Sequence, residues 1–143
     1  MIRNFEEFTS ELTDDERDYI FPRLIKILST CIGKEKALTN SRILESFNVN
    51  NPIYSEEDEP RVIKTRQNRI RHMIHILRVT DIIPFLIATA KGYYISNDYD
   101  EIKGYMQSID DRLRAIYQIR RAMKRQIEKY NTGNVPQQGI LIF

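Results

Sequence analysis

Residues 66–96 carry the sequence RQNRIRHMIHILRVTDIIPFLIATAKGYYIS, in which the spacing of apolar residues changes from a helical to a strand-like period. Up to about residue 79 the apolar residues recur every three or four positions, which predicts a helix over 66–79. The residues of its apolar face are Ile70, Met73, Ile74 and Leu77. After Pro84 come two short apolar runs, 85–88 and 93–96, around a four-residue loop that contains glycine. This pattern predicts a β-hairpin whose Gly92 takes a positive φ.

Two further helices are predicted upstream of this stretch. Thr13 and Glu16 form a capping-box pattern, and apolar residues then recur at helical spacing toward Gly33, where we expect the helix to end. Pro22 lies inside that pattern and should kink or split the helix. A short second helix is predicted from Thr39 or Asn40 to about residue 48.

The segment between the second and third predicted helices is acidic and rich in turn-forming residues. We therefore predict a loop over residues 48–60. Residues 62–64 fit either a short strand or the first turn of the next helix. Downstream, Asn97 or Asp98 is expected to cap a long helix that runs to about Tyr130.

The order of predicted elements is that of a winged helix-turn-helix followed by a long C-terminal helix. The fold class is thus mostly α with a small β-hairpin. We expect a winged-helix domain over residues 12–96, the long helix over 97–130, and a flexible tail over 131–143.

Several segments resemble winged-helix proteins encoded by bacteriophages and bacterial mobile elements. They are RIRHMIHILR at 69–78, IPFLIATAKGYYIS at 83–96, EIKGYMQSID at 101–110, and IGKEKALTNS at 32–41. The resemblance covers roughly residues 12–128, and this chain differs in its longer acidic loop. It implies a winged-helix fold and DNA binding in transcriptional or replication control.

Charge is unevenly distributed along the chain. Residues 1–60 hold 13 acidic and 7 basic side chains, whereas residues 61–143 hold 7 acidic and 15 basic ones. The second half therefore has a positive field that attracts a polyanion, unless its basic residues are only a solvated helix surface. Between residues 61 and 78 there are six Lys or Arg residues and no acid.

These patterns predict the residues that would contact double-stranded DNA. The recognition helix would be 66–79 and the wing 85–96, with the start of the second helix adding phosphate contacts. An Arg side chain can form two hydrogen bonds with the major-groove edge of guanine, and an Asn or Gln side chain can form two with that of adenine. The alternative for the helix residues is a solvated basic face. The predicted DNA-contacting residues are Ser41, Arg42, Arg66, Gln67, Asn68, Arg69, Arg71, His72 and Lys91.

The long helix carries apolar residues at alternating spacings of four and three. This heptad pattern is typical of a coiled coil and predicts a homodimer, although the helix could instead pack back as an intramolecular strut. Arg120 interrupts the seam and would be buried in a parallel dimer, unless it meets Asp110 or Asp111 in an antiparallel one. The seam begins at Ile102 and Met106. The residues predicted to mediate oligomerisation are Ile109, Leu113, Ile116, Met123 and Ile127.

Other functional classes lack a sequence signature. No phosphate-binding loop, nucleophile elbow or zinc-protease motif is present, so we predict neither an enzyme nor a cofactor or small-molecule ligand. His72 and His75 are spaced for one helix face but lack further metal ligands nearby.

No run is apolar enough for a membrane span, and the single Cys31 suits the cytoplasm, in a host cell if the gene is a phage gene. The alternative to DNA binding is a protein-interaction module that uses the winged helix and the long helix.

Overall fold

The computed structural model describes residues 5–47 and 60–130. The predicted tail at 131–143 and all of the predicted acidic loop except Pro60 lie outside these residues. No described helix is long and apolar enough to cross a membrane. The helices are α1 (Phe5–Thr9), α2 (Phe21–Ser29), α3 (Asn40–Phe47), α4 (Pro60–Val79) and α5 (Tyr99–Tyr130), and the strands are β1 (Leu86–Thr89) and β2 (Gly92–Ile95). The predicted fold class is confirmed: mostly helical, with a small antiparallel hairpin and a long last helix.

The start of the first predicted helix has the expected capping box. The Thr13 hydroxyl accepts the N–H of Glu16 at 3.2 Å, and the Glu16 carboxylate accepts the N–H of Thr13 at 2.9 Å. Pro22 cannot donate to a carbonyl four residues back, and the helix responds by widening into a π-helical segment, Glu16–Ile20, before α2 begins. The predicted disruption at Pro22 therefore takes the form of a wider turn.

The predicted end of this helix at Gly33 is wrong, because α2 stops at Ser29. The backbone beyond it pairs with β2 instead. Ile95 donates its N–H to the Cys31 carbonyl at 2.7 Å, and Gly33 donates to the Ile95 carbonyl at 2.9 Å. Strand pairing thus replaces the last helical turn.

Helix α4 begins at Pro60, about six residues before the predicted start. Proline is favoured in the first turn of a helix, where its missing N–H would have had no partner. Residues 62–64, left open by the sequence, are therefore helical. The apolar faces of α3 and α4 both enter the core, and that of α4 is the face predicted from its period. The most deeply buried residues there include Ile43, Leu44, Phe47, Ile70, Met73, Ile74 and Leu77.

Each strand of the hairpin lies one residue nearer the tip than predicted. Thr89 pairs with Gly92 and Leu86 with Ile95, so that only residues 90 and 91 connect the strands rather than the predicted four. Gly92 has the predicted positive φ, at 121°. A Cβ built there would lie 2.4 Å from the carbonyl oxygen of Leu38, so this position also needs glycine for its close backbone approach.

The chain divides into two compact units, and the boundary lies shortly after the start of α5. One unit extends to Ile102, and the other begins at Lys103. The first turn of α5 belongs to the first unit and is capped by Asp98, whose carboxylate accepts the N–H of Asp100 at 3.0 Å. Glu101 forms an ion pair of 3.2 Å with Lys34. Hydrogen bonds from Ser96, Lys34 and Tyr94 lower the pKa of Glu101.

Candidate nucleic-acid interface

Helix α4 has an exposed polar stripe opposite its buried face. Its members are spaced alternately three and four residues apart, which places them on one side of the helix over four turns. None is acidic. This stripe, hereafter the α4 stripe, consists of Arg61, Lys64, Asn68, Arg71 and His75.

Asn68 and Arg71 are the predicted contact residues on the α4 stripe. Both are exposed, and an Arg71 guanidinium nitrogen donates to the Asn68 amide oxygen at 2.8 Å. This bond uses one of the five guanidinium N–H groups, so Arg71 keeps a donor pair for a base edge or a phosphate. Arg66 is half-buried on the same helix.

Arg69 and His72 lie elsewhere on α4 and contact acidic residues near the start of the chain. Arg69 donates to the two carboxylate oxygens of Glu16 at 2.6 and 2.7 Å, and to the backbone carbonyl of Glu11 at 3.3 Å. His72 Nε2 lies 3.1 Å from the Glu11 carboxylate. Both predicted contact residues are therefore engaged within the chain: Arg69 connects α4 to the capping box of the first helix, and His72 connects it to Glu11 just before that box.

The N-terminus of α3 is attached to the middle of α4. Asn40 donates its side-chain N–H to the Gln67 carbonyl at 2.9 Å, and the Gln67 amide donates to the Ser41 hydroxyl at 3.3 Å. Two predicted contact residues, Ser41 and Gln67, thus bind each other. Arg42, the next residue of α3, is exposed, and its N–H is capped by the Thr39 hydroxyl at 3.3 Å. The side chain of Arg42 therefore projects from a fixed helix start.

The tip of the wing lies beside this helix start. Leu38 and Tyr93 exchange two backbone hydrogen bonds of 2.8 and 3.1 Å, and Gly92 packs against the peptide between Leu38 and Thr39. Lys91 is exposed at the tip, where its N–H donates to the Thr89 hydroxyl at 3.2 Å. The contacts of Gly92 and Gln67 thus connect the wing tip, the start of α3 and the middle of α4.

Three members of the α4 stripe were not predicted as contact residues. Arg61 and Lys64 were missed because the helix was predicted to begin near residue 66, and Pro60 was the signal that would have extended it. His75 was named in the sequence only with His72 as an incomplete metal-ligand pair, so its place on the α4 stripe comes from the structure.

The predicted oligomerisation residues lie on α5. Ile109 is half-buried, whereas Leu113, Ile116, Met123 and Ile127 are exposed. In the part of the chain that the structure describes, no three His, Cys, Asp or Glu side chains are grouped closely enough to hold a metal ion.

Comparison with known proteins does not identify a relative. No protein-family model, curated protein or solved structure matches the chain. The resemblance to winged-helix proteins of phages and mobile elements thus stays a prediction.

The ion pair between Glu16 and Arg69 makes a testable contribution to stability. The hydrogen bond from Arg69 is the largest influence that lowers the pKa of Glu16, and burial opposes it. A lowered pKa in the folded state means stabilisation above the unfolded-state pKa of about 4.3, which is lost as the pH falls through the folded-state pKa. We expect Glu16→Gln to cost about 1–2 kcal/mol at pH 7, since Arg69 is partly exposed, and progressively less as the pH falls below the unfolded-state pKa.

Urea unfolding of both proteins between pH 3 and 7 measures this difference. Arg17→Ala serves as the control, because it removes only exposed ion pairs, of 2.7 Å with Asp14 and 3.4 Å with Asp18, and should change the stability little at any pH in this range. A cost of Glu16→Gln that is the same at pH 3 and pH 7 would contradict the role of this ion pair.

Proposed function

We propose that this protein binds double-stranded DNA without catalysing a reaction, through its winged helix and as a dimer. The observation that carries the proposal is the α4 stripe: an exposed helix face with three basic residues, Asn68 and His75, and no acid. An α-helix fits the major groove of B-DNA, where a polar, basic face meets base edges and phosphates. The sequence resemblance supports a role in transcriptional or replication control of a phage or mobile element, in the host cytoplasm.

The exposed residues of the proposed surface would contact different parts of the DNA. Arg71 has the donor geometry for guanine O6 and N7, and Asn68 has the amide that adenine recognition uses. Arg42 and Lys91, at the helix start and the wing tip, carry positive charges suited to phosphates. Arg69 is not part of this proposed surface, because its guanidinium is bound to Glu16.

The first test is direct binding to DNA. The full chain is mixed with a pool of random-sequence duplexes at low salt and examined by mobility shift, and bound duplexes are then sequenced. We expect retardation of the whole pool, since phosphate contacts do not depend on sequence, followed by enrichment of a site with selection. Failure to retard any duplex at low salt would contradict the proposal.

A second candidate function is a protein-interaction module. It is favoured by one observation, the exposure of apolar side chains along α5. Large exposed apolar patches are typical of protein-binding surfaces. This function predicts no duplex binding at low salt, so the same mobility-shift experiment separates the two candidates.

A further inference from the structure

Helix α5 presents an apolar surface along most of its length. Eight of its large apolar side chains are each more than half exposed, and five of these lie along the heptad seam. Their exposed fractions are 59% for Met106, 59% for Leu113, 62% for Ile116, 58% for Met123 and 67% for Ile127. Together with Ile102 and Ile109 they follow the alternating spacing of a coiled-coil seam. A surface of this kind is favourable only when another apolar surface covers it.

The seam is nearly symmetrical about the centre of the helix. If a second copy of α5 lies antiparallel with complete overlap, Tyr99 of each helix is level with Tyr130 of the other. Ile102 is then level with Ile127, Met106 with Met123, and Leu113 with Ile116. Each apolar residue except Ile109 therefore meets an apolar residue of similar volume. The register that gives complete overlap is also the one that aligns the two seams.

The charges of α5 are unevenly divided about the same centre. Residues 99–114 contain four acidic and three basic side chains, whereas residues 115–130 contain one acidic and five basic ones. A parallel pair would place the two basic halves side by side. An antiparallel pair places each basic half beside the more acidic half of the other copy, which is favourable.

Arg120, the one seam position that is not apolar, distinguishes the two orientations most clearly. In a parallel pair it would face Arg120 of the other copy, and two charges of the same sign would share one layer of the seam. In the antiparallel register it is level with Ile109, and Asp110 and Asp111 follow directly on that helix. The long aliphatic part of Arg120 can cover Ile109 while its guanidinium reaches an aspartate.

We propose that α5 pairs with α5 of a second copy in antiparallel orientation, over its full length from Tyr99 to Tyr130. This inference rests on the dimeric part of the proposed function and specifies its partner and geometry. At 1.5 Å per residue, the N-termini of the two helices lie on the order of 45 Å apart. Because each wing directly precedes α5 in the sequence, the pairing attaches the two winged helices at opposite ends of the coiled coil.

Distances between spin labels test the orientation in the 143-residue chain without DNA. A nitroxide is attached to Lys129→Cys in a Cys31→Ala background, and the pair distance is measured by pulsed electron paramagnetic resonance. Antiparallel pairing puts the two labels about 40 Å apart along the axis, whereas parallel pairing puts them within about 20 Å. A label at Ala115→Cys, near the centre, gives a short distance in either orientation and reports that pairing has occurred.

Each result has a definite meaning for the inference. A long distance at position 129 together with a short one at position 115 supports antiparallel pairing. Short distances at both positions overturn it but leave a dimeric DNA-binding protein intact. If no distance is found at position 115, the helices do not pair, which overturns both the inference and the proposed dimer. Leu113→Glu combined with Ile116→Glu provides the unpaired baseline, because it places charges at the centre of the seam. DNA binding is measured separately, so failure of that function does not affect these results.

Discussion

Gly92→Ala is expected to destabilise the protein by about 3 kcal/mol or more. The new Cβ would lie 2.3 Å from the carbonyl carbon of Leu38 and 2.7 Å from the backbone nitrogen of Thr39. These are backbone atoms, so the strand cannot relieve the overlap by rotating a side chain. The residue would also have to adopt a φ of 121°, which residues other than glycine rarely take. Moving the wing away would break the two hydrogen bonds between Leu38 and Tyr93.

Gly104→Ala is the matched control for this substitution. Gly104 lies within α5, and a Cβ added there meets no heavy atom within 4 Å. Alanine is the better helix former, so we expect a gain of roughly 0.5–1 kcal/mol. Urea unfolding monitored by circular dichroism and by tyrosine fluorescence measures both variants. Equal effects of the two substitutions would contradict the close packing of the wing on residues 38 and 39.

The largest expected effect on function comes from replacing Arg42, Arg71 and Lys91 together with alanine. These exposed residues represent the start of α3, the α4 stripe and the wing tip. Losing one base contact and two phosphate contacts should reduce duplex affinity by at least about 100-fold near physiological salt. The fold should be unaffected, because none of the three side chains enters the core. Fluorescence anisotropy with a labelled duplex measures the affinity, and circular dichroism checks the fold.

Lys26→Ala is the control for this variant. Lys26 is exposed on α2, outside the proposed surface, so its loss should change affinity by less than about twofold. Arg69→Ala would be a poor test of DNA binding, since it leaves the Glu16 carboxylate without its main partner and destabilises the fold. If the triple variant binds DNA as tightly as the unmodified protein, the proposed surface is wrong.

Local patterns in the sequence were sufficient to predict most of the fold. The capping box of Thr13 and Glu16 and the Asp98 cap depend only on residues within three positions of one another, and both were predicted. The apolar face of α4 followed from its period. The pairing of β2 with residues 31–38 was not predicted, because it joins residues that are far apart in the sequence.

The candidate site was harder to predict than the fold for the same reason. Arg69 has the residue type and position of a DNA-contacting side chain, but its partner Glu16 lies 53 residues earlier. Periodicity identifies which face of a helix is buried, yet it does not show which neighbouring element covers the flank of that face. The pairing of Gln67 with Ser41, 26 residues earlier, is equally invisible to local patterns. Which side chains of α4 remain exposed was therefore known only from the structure.

The dependence of duplex affinity on salt tests the central claim most directly. Binding of the unmodified protein to a labelled random-sequence duplex is measured by anisotropy between about 50 and 200 mM salt. Roughly four to eight phosphate contacts predict a log–log slope between about −4 and −7, and the triple alanine variant, which loses two phosphate contacts, should have a slope smaller in magnitude by about 2. Absence of binding at the lowest salt, or an affinity that does not change with salt, would contradict DNA binding by this surface.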